Sequence, residues 1–259
     1  MTQAADQDSG EAGGHEATPV LEPPGEGPPP EPPPAVIAEG ICMTGPWGPV
    51  YGPVDLAIPT GGLNVLVCTA GTGRTALLMT LAGRMKPKSG KLTVFGARRA
   101  RDIFAISGLA GINGIDTVSE SVTVRDLITE QLRWDAPWYR FIGQADEAEL
   151  ARVCAPVFGE LPLPPLMEYF ELLSELDQLL LRIALANTNR PPLLVVGDLD
   201  FVASDSNRDA LICRLIDLGR NQTVITATVN GVTNHPVAAQ IPVINTDRAE
   251  LVKMQKLKG

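Results

Sequence analysis

From Met1 to Val36 the chain has no lysine, no arginine and no aromatic residue, against seven acids and nine prolines. Such a segment cannot bury enough apolar surface to offset the entropy of ordering it. Residues 1–36 are therefore expected to be a disordered, partly polyproline II leader, with Pro23–Pro34 its most extended part. A solvated spacer and a ligand for a proline-binding module are both open. Seven of the formal nine negative charges lie in this leader, so the other 223 residues are close to neutral at about −2. That balance argues against a nucleic-acid-binding face. Metal-site chemistry is equally sparse. There are two histidines, His15 and His235, and four widely separated cysteines, Cys42, Cys68, Cys154 and Cys213. None forms C-x-x-C, so buried thiols in a reducing compartment are expected, not zinc or disulfides. No apolar run approaches the ~20 residues that span a bilayer, and no basic start precedes one, so neither direct membrane insertion nor a signal peptide is expected.

What is present is concentrated in residues 68–96, CTAGTGRTALLMTLAGRMKPKSGKLTVFG. The apolar run Leu63–Val67 reads as a buried strand. Ala70–Thr75 is a Gly-rich turn, and Ala76–Gly83 has an uninterrupted helical pattern. Strand, turn and helix together make a phosphate cradle: glycines let backbone N–H groups converge, and the helix N-terminus adds partial positive charge. Against the P-loop pattern G-x-x-x-x-G-K-[ST], Cys68 stands at the first Gly, Gly73 at the second, Arg74 at the Lys and Thr75 at the Ser/Thr. Two of the four positions are altered, while the strand–turn–helix context is kept.

The longer run identifies a family. Leu81-Ala82-Gly83-Arg84, then Lys86-Pro87-Lys88-Ser89-Gly90, then a strand Lys91–Phe95 closed by Gly96, resembles the ATP-binding cassette (ABC) ATPases. Upstream, a β-rich stretch from about Ala38 to Ile58 contains Tyr51-Gly52-Pro53-Val54-Asp55-Leu56, similar to the segment in which an aromatic stacks on adenine. Tyr51 is the candidate and Trp47 the alternative; packing of the aromatic on its own sheet is equally open. Downstream, Ile103–Ile106 reads as a second strand and Gly108–Asp116 as a loop. The family carries a metal-linking glutamine in that loop, but no Gln occurs after Gly96 until Gln131, and Asn113 is the nearest amide. Val122–Leu127 resembles the L-T-V-R-E-x-L that opens the family's helical subdomain. Trp134, Trp138 and Tyr139 follow, and such a cluster is more often core than interface.

Leu173–Asp177 stands where the signature L-S-G-G-Q belongs, with Ser174 assigned loosely and Glu175 and Leu176 replacing the glycines. Pro192–Asp198 reads as a buried strand ending in a carboxylate, the Walker B pattern. The favoured register puts Asp198 near Mg²⁺, Leu199 at the water-polarising glutamate and Asp205 in the loop that crosses a dimer interface. A competing register puts Gly197 at the metal and Asp198 at the glutamate. Thr223–Thr228 resembles the last core strand, with Val229 where the family has histidine and His235 expected in a surface loop. Ile241–Asn245 looks like one more short strand, and residues 251–259 form a basic, solvated tail.

The resemblance covers about residues 40–248. It implies an α/β fold, a P-loop NTPase with an ABC-type core of mixed sheet flanked by helices, over residues 37–250. It also implies a small helical subdomain at about 117–182. ATP would bind through Gly71, Thr72, Gly73, Arg74, Thr75, Ala76 and Tyr51, and Mg²⁺ through Thr75 and Asp198. The implied partners are a transmembrane permease and a second cassette, homo- or heterodimeric, which would hold the chain in the cytoplasm against the inner face of the cell membrane. The glutamate, histidine and glutamine positions are unmatched, so no catalytic residue is assigned and hydrolysis is expected to be weak or absent. A scaffolding or regulatory cassette that has lost nucleotide chemistry is the alternative.

Overall fold

The structure, a computed structural model, describes residues 33–46, 48–69, 71–112 and 121–244. Trp47, Asn113, Asn245, most of the leader, the first residues of the expected helical subdomain and the basic tail lie outside the described residues. The chain opens with two long antiparallel strands, β1 (Val36–Gly45) and β2 (Gly48–Ile58). β3 (Gly62–Val67), α1 (Thr72–Leu81) and β4 (Ser89–Val94) follow. Next come α2 (Ala100–Ala105), β5 (Ser107–Ala110), α3 (Val124–Asp135), α4 (Glu147–Phe158) and α5 (Glu175–Ala186). The last elements are β6 (Leu193–Asp198), α6 (Asp205–Gly219), β7 (Thr223–Thr228) and β8 (Ala239–Pro242).

The strands form two sheets. β2, β1 and β4 make an antiparallel sheet, and a parallel sheet has the order β5-β6-β7-β3-β8. The central parallel strands β3, β6 and β7 are buried along nearly their whole length because both faces are covered. Alternation then sorts side chains by face. Along β6, Leu194 and Val196 join the core under α3–α6, while Leu193 and Val195 join the core beneath α1 and the antiparallel sheet. β7 does the same with Val224 on one side and Ile225 and Ala227 on the other. The strand order brings the carboxyl ends of β3, β6 and β7 together, the edge where ligands of open α/β sheets sit.

Three helix starts have the capping chemistry that defines them. Thr123 and Asp126 form a reciprocal capping box on α3: Asp126 N–H donates to Thr123 Oγ1 (3.2 Å) and Thr123 N–H to Asp126 Oδ2 (3.1 Å). Asp146 and Glu149 do the same on α4, and Ser174 Oγ accepts from Asp177 N–H (3.1 Å) at the start of α5. The L-T-V-R-like segment thus begins a helix because its Thr satisfies the orphan donors there.

Several expectations need correction. Ile103–Ile106 is no strand: residues 100–105 are helical, and the strand begins at Ser107. A four-residue apolar run does not distinguish the two periods. Only Ile103 of that helix is buried, while exposed Phe104 lies under the Arg84 guanidinium, 4.1 Å from the ring centroid. The aromatic cluster is no core either. Trp134, Trp138 and Tyr139 are 78%, 95% and 75% exposed. The buried stripe of α3 runs Val124, Ile128, Leu132, and Trp134 stands two residues past it, on the other side of the helix. Of the thiols, Cys68 and Cys154 are buried, Cys42 is half-buried and Cys213 is exposed.

The leader boundary also moves. Ala35 and Val36 are 1% and 0% exposed, and Val36 pairs with both Ile58 and Val94. The domain therefore begins before residue 37. Truncation through residue 32 should leave the urea midpoint within experimental error. Truncation through 36 should lose at least about 2 kcal/mol, the value of burying a valine side chain; equal midpoints would mean that β1 starts later.

Candidate functional site

The turn after β3 leads directly into α1. Gly71 is the N-cap, exposed and at φ 143°, a backbone region that L side chains rarely enter. Arg74 N–H donates to Gly71 O (3.1 Å), and no side chain caps the helix. The ten-residue α1 therefore presents its N-terminal amides and dipole to the cleft. Cys68 N–H donates to Thr228 O (3.0 Å), tying this turn to the end of β7.

Across the turn stands an ion-paired trio. Arg74 is only 6% exposed, and its Nη2 meets Asp198 Oδ2. Its Nη1 reaches Asp200 Oδ2 at 2.8 Å and the Cys68 carbonyl at 3.4 Å. Asp200 is held further by Thr228 Oγ1 donating to Oδ1 (2.7 Å) and Val229 N–H donating to Oδ2 (2.8 Å). Asp198 Oδ1 accepts from Asp200 N–H (2.9 Å). One guanidinium thus serves two carboxylates, and its planar fork suits that duty better than an ammonium would. Arg208 braces the following turn through the carbonyls of Leu199 (3.3 Å) and Val202 (3.2 Å).

The two carboxylates are pushed apart. Burial raises Asp198 to about 6, against the pull of the Asp200 N–H and Arg74. Burial would raise Asp200 too, but Thr228, Val229 and Arg74 outweigh it and hold Asp200 below the ordinary carboxylate range. Burial also raises the Cys68 thiol to about 11, so it stays protonated.

The sequence candidates divide accordingly. Gly71, Arg74, Thr75 and Asp198 line one cleft of about 740 Å³ together with Asp200, Phe201, Val229 and Asn230. Thr72 is the first residue of α1. Gly73 is buried, and Ala76 turns its methyl group into the core. Tyr51 is not available for stacking. It is 1% exposed, its hydroxyl donates to Thr80 Oγ1 (2.8 Å), and burial raises it to about 12. β2 turns this ring inward, so its place is in the core of the sheet. Leu199 is 1% exposed, with its side chain in the core. Ser174 caps α5, whose first turn holds Glu175 and Asp177, and Glu175 Oε1 accepts from Ala203 N–H (3.4 Å). Asp205 starts α6 and pairs with Arg208 (3.2 Å).

The arrangement fits a phosphate group at the uncapped N-terminus of α1. It does not fit Mg²⁺ on Asp198 as it stands, because the oxygens of that carboxylate already face Arg74 and the Asp200 amide. A cation there would compete with a guanidinium for one buried carboxylate. Sequence reasoning had passed over Asp200, which stands at the Pro of the family's D-E-P. The signal was a second acid two residues beyond the strand end, opposite an Arg in place of the P-loop Lys.

The comparisons with known proteins bear on the fold. No protein-family model matches the chain. Segments are similar to "ABC transporter G family member 20" of Dictyostelium discoideum (34% identical over 74 residues, 29% of this chain and 10% of that protein). The sulfate/thiosulfate import ATP-binding protein CysA of Mycolicibacterium paratuberculosis matches at 31% over 80 residues, 31% of this chain and 22% of that protein. The cytochrome c biogenesis ATP-binding export protein CcmA of Cupriavidus pinatubonensis matches at 28% over 127 residues, 49% of this chain and 53% of that protein. The matches thus span from a tenth to about half the length of these relatives. Among solved structures, an ABC transporter ATP-binding protein of Pyrococcus furiosus superposes with TM-score 0.62 at 14% identity, covering 80% of this chain and 96% of that one. CbiO1 of Clostridium perfringens, part of the cbiONQ complex, gives 0.60 at 13% identity, covering 87% and 93%. The fold is that of the ABC ATPase domain, a P-loop NTPase with a parallel sheet flanked by helices. Segments of the chain are thus similar to ABC transporter proteins, two of which are named as ATP-binding proteins.

Two outcomes test the trio. Arg74→Ala leaves two carboxylates without a counter-ion and should destabilise by about 3–5 kcal/mol in urea unfolding; a change below about 1 kcal/mol would mean that the pair forms no part of the stable fold. The second concerns pH. Because the Asp198 pKa is raised on folding, its contribution is fully present below the ordinary value near 3.8 and is lost as pH rises through about 6. Asp200 does the reverse: its contribution is present above the ordinary value and is lost as pH falls through its lowered one. Wild type should therefore lose stability relative to Asp198→Asn between pH 4 and about 6.5. Parallel curves would contradict the assignment.

Proposed function

We propose that the chain is the ATP-binding subunit of an ABC-type membrane transporter, with a nucleotide site closed by its own ion pair and weak or absent hydrolysis. The observation that carries the reading is the uncapped α1 N-terminus behind Gly71, facing Asp198 and Asp200 across one cleft. In this reading the backbone amides of residues 71–75 would hold the phosphates, and Thr75 and Asp198 would be the residues toward Mg²⁺, with Arg74 released from Asp198. Bound ATP·Mg²⁺ would supply the charge and the phosphoryl group; the protein contributes position and counter-charge.

The trio carries a net charge of about −1 at neutral pH, which opposes a polyphosphate until Arg74 is redirected. Hydrolysis lacks its usual parts. Leu199 supplies no carboxylate to orient water, and Val229 no imidazole. Glu175 and Asp177 put negative charge on the helix start that would approach a partner's nucleotide. Removing single stabilising groups from such sites costs orders of magnitude in rate. A permease and a second cassette, identical or not, would be the partners, as the cbiONQ complex is for one structural neighbour. The chain would then sit on the inner face of a membrane through them. Among the described residues no helix is long and apolar enough to cross one. The closed trio also favours the second reading, a regulatory or scaffolding cassette that binds no nucleotide.

Calorimetric titration with ATP and Mg²⁺ separates the two. Binding at or below the millimolar range, weakened by Thr75→Ala, is expected; heat-silent mixing with folded protein would leave the scaffold. In the same preparation, phosphate release should stay well below about 1 s⁻¹, the lower end for ordinary enzymes, and Leu199→Glu alone should not restore it, since such groups act as a unit. Ordinary turnover abolished by Thr75→Ala would mean that the catalytic positions have been misassigned.

A further inference from the structure

Cys213 is exposed on α6, one turn after Asp209, and His235 from the loop after β7 lies across both. His235 Nε2 is 3.0 Å from Asp209 Oδ1, and Nδ1 is 3.7 Å from Cys213 Sγ. A carboxylate only accepts, so the Nε2 hydrogen points at Asp209 and the Nδ1 lone pair faces the thiol. This is the order nucleophile, base, orienting carboxylate that activates a cysteine. Nothing in the nucleotide reading uses it. The sequence expectation of a buried thiol at 213 and a surface histidine at 235 misses it, since the three residues meet only when the β7 loop folds back over α6. The imidazole is 16% exposed at its side chain, and Asp209 is 59% exposed. Beside them lies a pocket of about 300 Å³ that reaches Asp200 and Thr228.

We propose that Cys213 is a reactive thiol that exchanges with low-molecular-weight disulfides, a modification site beside the nucleotide cleft. The step balances as follows. The Cys213 thiol proton passes to His235 Nδ1, giving a thiolate beside an imidazolium that Asp209 stabilises. The thiolate attacks one sulfur of R–S–S–R; the new Cys213 S–S bond forms as the old S–S bond breaks. R–S⁻ leaves with the electron pair and takes the proton back from His235 as R–SH. Cys213 is oxidised and half of the disulfide is reduced. The group left on Cys213 stands next to His235 and Asp209, which line the pocket that reaches Asp200 and Thr228. The other thiols are poor competitors. Burial raises Cys68 to about 11 and Cys154 to about 12, and the Cys42 thiol, half-buried, is spent on the Gly40 carbonyl at 3.6 Å.

The test uses 4,4′-dithiodipyridine, a neutral disulfide whose released thiopyridone is read by absorbance, on the full chain at pH 7. One thiol should react on the order of tenfold faster than the same chain unfolded in guanidinium. That factor is what a positioned base adds by taking the thiol proton as the sulfur attacks. Mass spectrometry of the fast product should place the label on Cys213, and Cys213→Ser should remove the phase. His235→Gln, which keeps the shape and loses the base, should slow it by about fivefold or more, and Asp209→Asn by less. A fast phase on Cys42, a His235→Gln rate equal to wild type, or a folded rate no higher than the unfolded one would each overturn the proposal. His235→Ala, checked for cooperative unfolding, provides a second variant if the glutamine one fails to fold.

Discussion

The constraint on which the rest of this structure depends is the pairing of one buried cation, Arg74, with two carboxylates on a different segment. Isolated, a guanidinium or carboxylate in that position would meet a desolvation penalty of several kcal/mol. Together they are tolerated because every charged group has partners: Asp198 the Asp200 amide, Asp200 the Thr228 hydroxyl and Val229 amide, Arg74 the Cys68 carbonyl as well. The network crosses β3, β6 and β7 at their carboxyl ends. It therefore staples together the three strands whose order creates the cleft.

This has a functional consequence. A P-loop is a cradle of amides that gains from a mobile cation able to follow the phosphates. Here the cation is anchored, and the same buried contact that stabilises the empty site opposes filling it. In the proposed function, binding would have to redirect Arg74, so affinity and internal stability would be coupled through one side chain. Asp198, raised to about 6 by burial, is the group whose protonation would ease that exchange. Nearby, Leu199 lies in the core and Glu175 and Asp177 sit in the first turn of α5, the placements on which the proposal of weak hydrolysis rests.

The helical half shows the same separation between local signal and final placement. Thr123, Asp146 and Ser174 each start a helix by satisfying its first amides, and those starts lie in the local sequence. Where each helix turns its large side chains is decided by what packs against it. α3 buries the stripe through Val124, Ile128 and Leu132 and leaves Trp134 in solvent, and the segment after it leaves Trp138 and Tyr139 there too. Aromatic content suggested a core at that point; the one-sided packing of the helix forbids it.

The amino-acid sequence by itself determined the order of parts: a strand, a glycine turn and a helix that make an anion cradle, and an apolar strand ending at Asp198. Those features come from backbone geometry and from periodicity within a few residues. It also carried the departures from the resembled pattern at Leu199, Val229 and Glu175–Leu176, which are read position by position. The tertiary structure alone decided that Arg74 faces inward to Asp198 and Asp200, that Tyr51 is core, that residues 103–105 end a helix before the strand that begins at Ser107, and that His235 bridges Asp209 and Cys213. Each depends on groups tens to more than a hundred residues apart meeting in a low-dielectric setting or on a shared face, and no local pattern encodes which partner a buried charge or an aromatic ring will find.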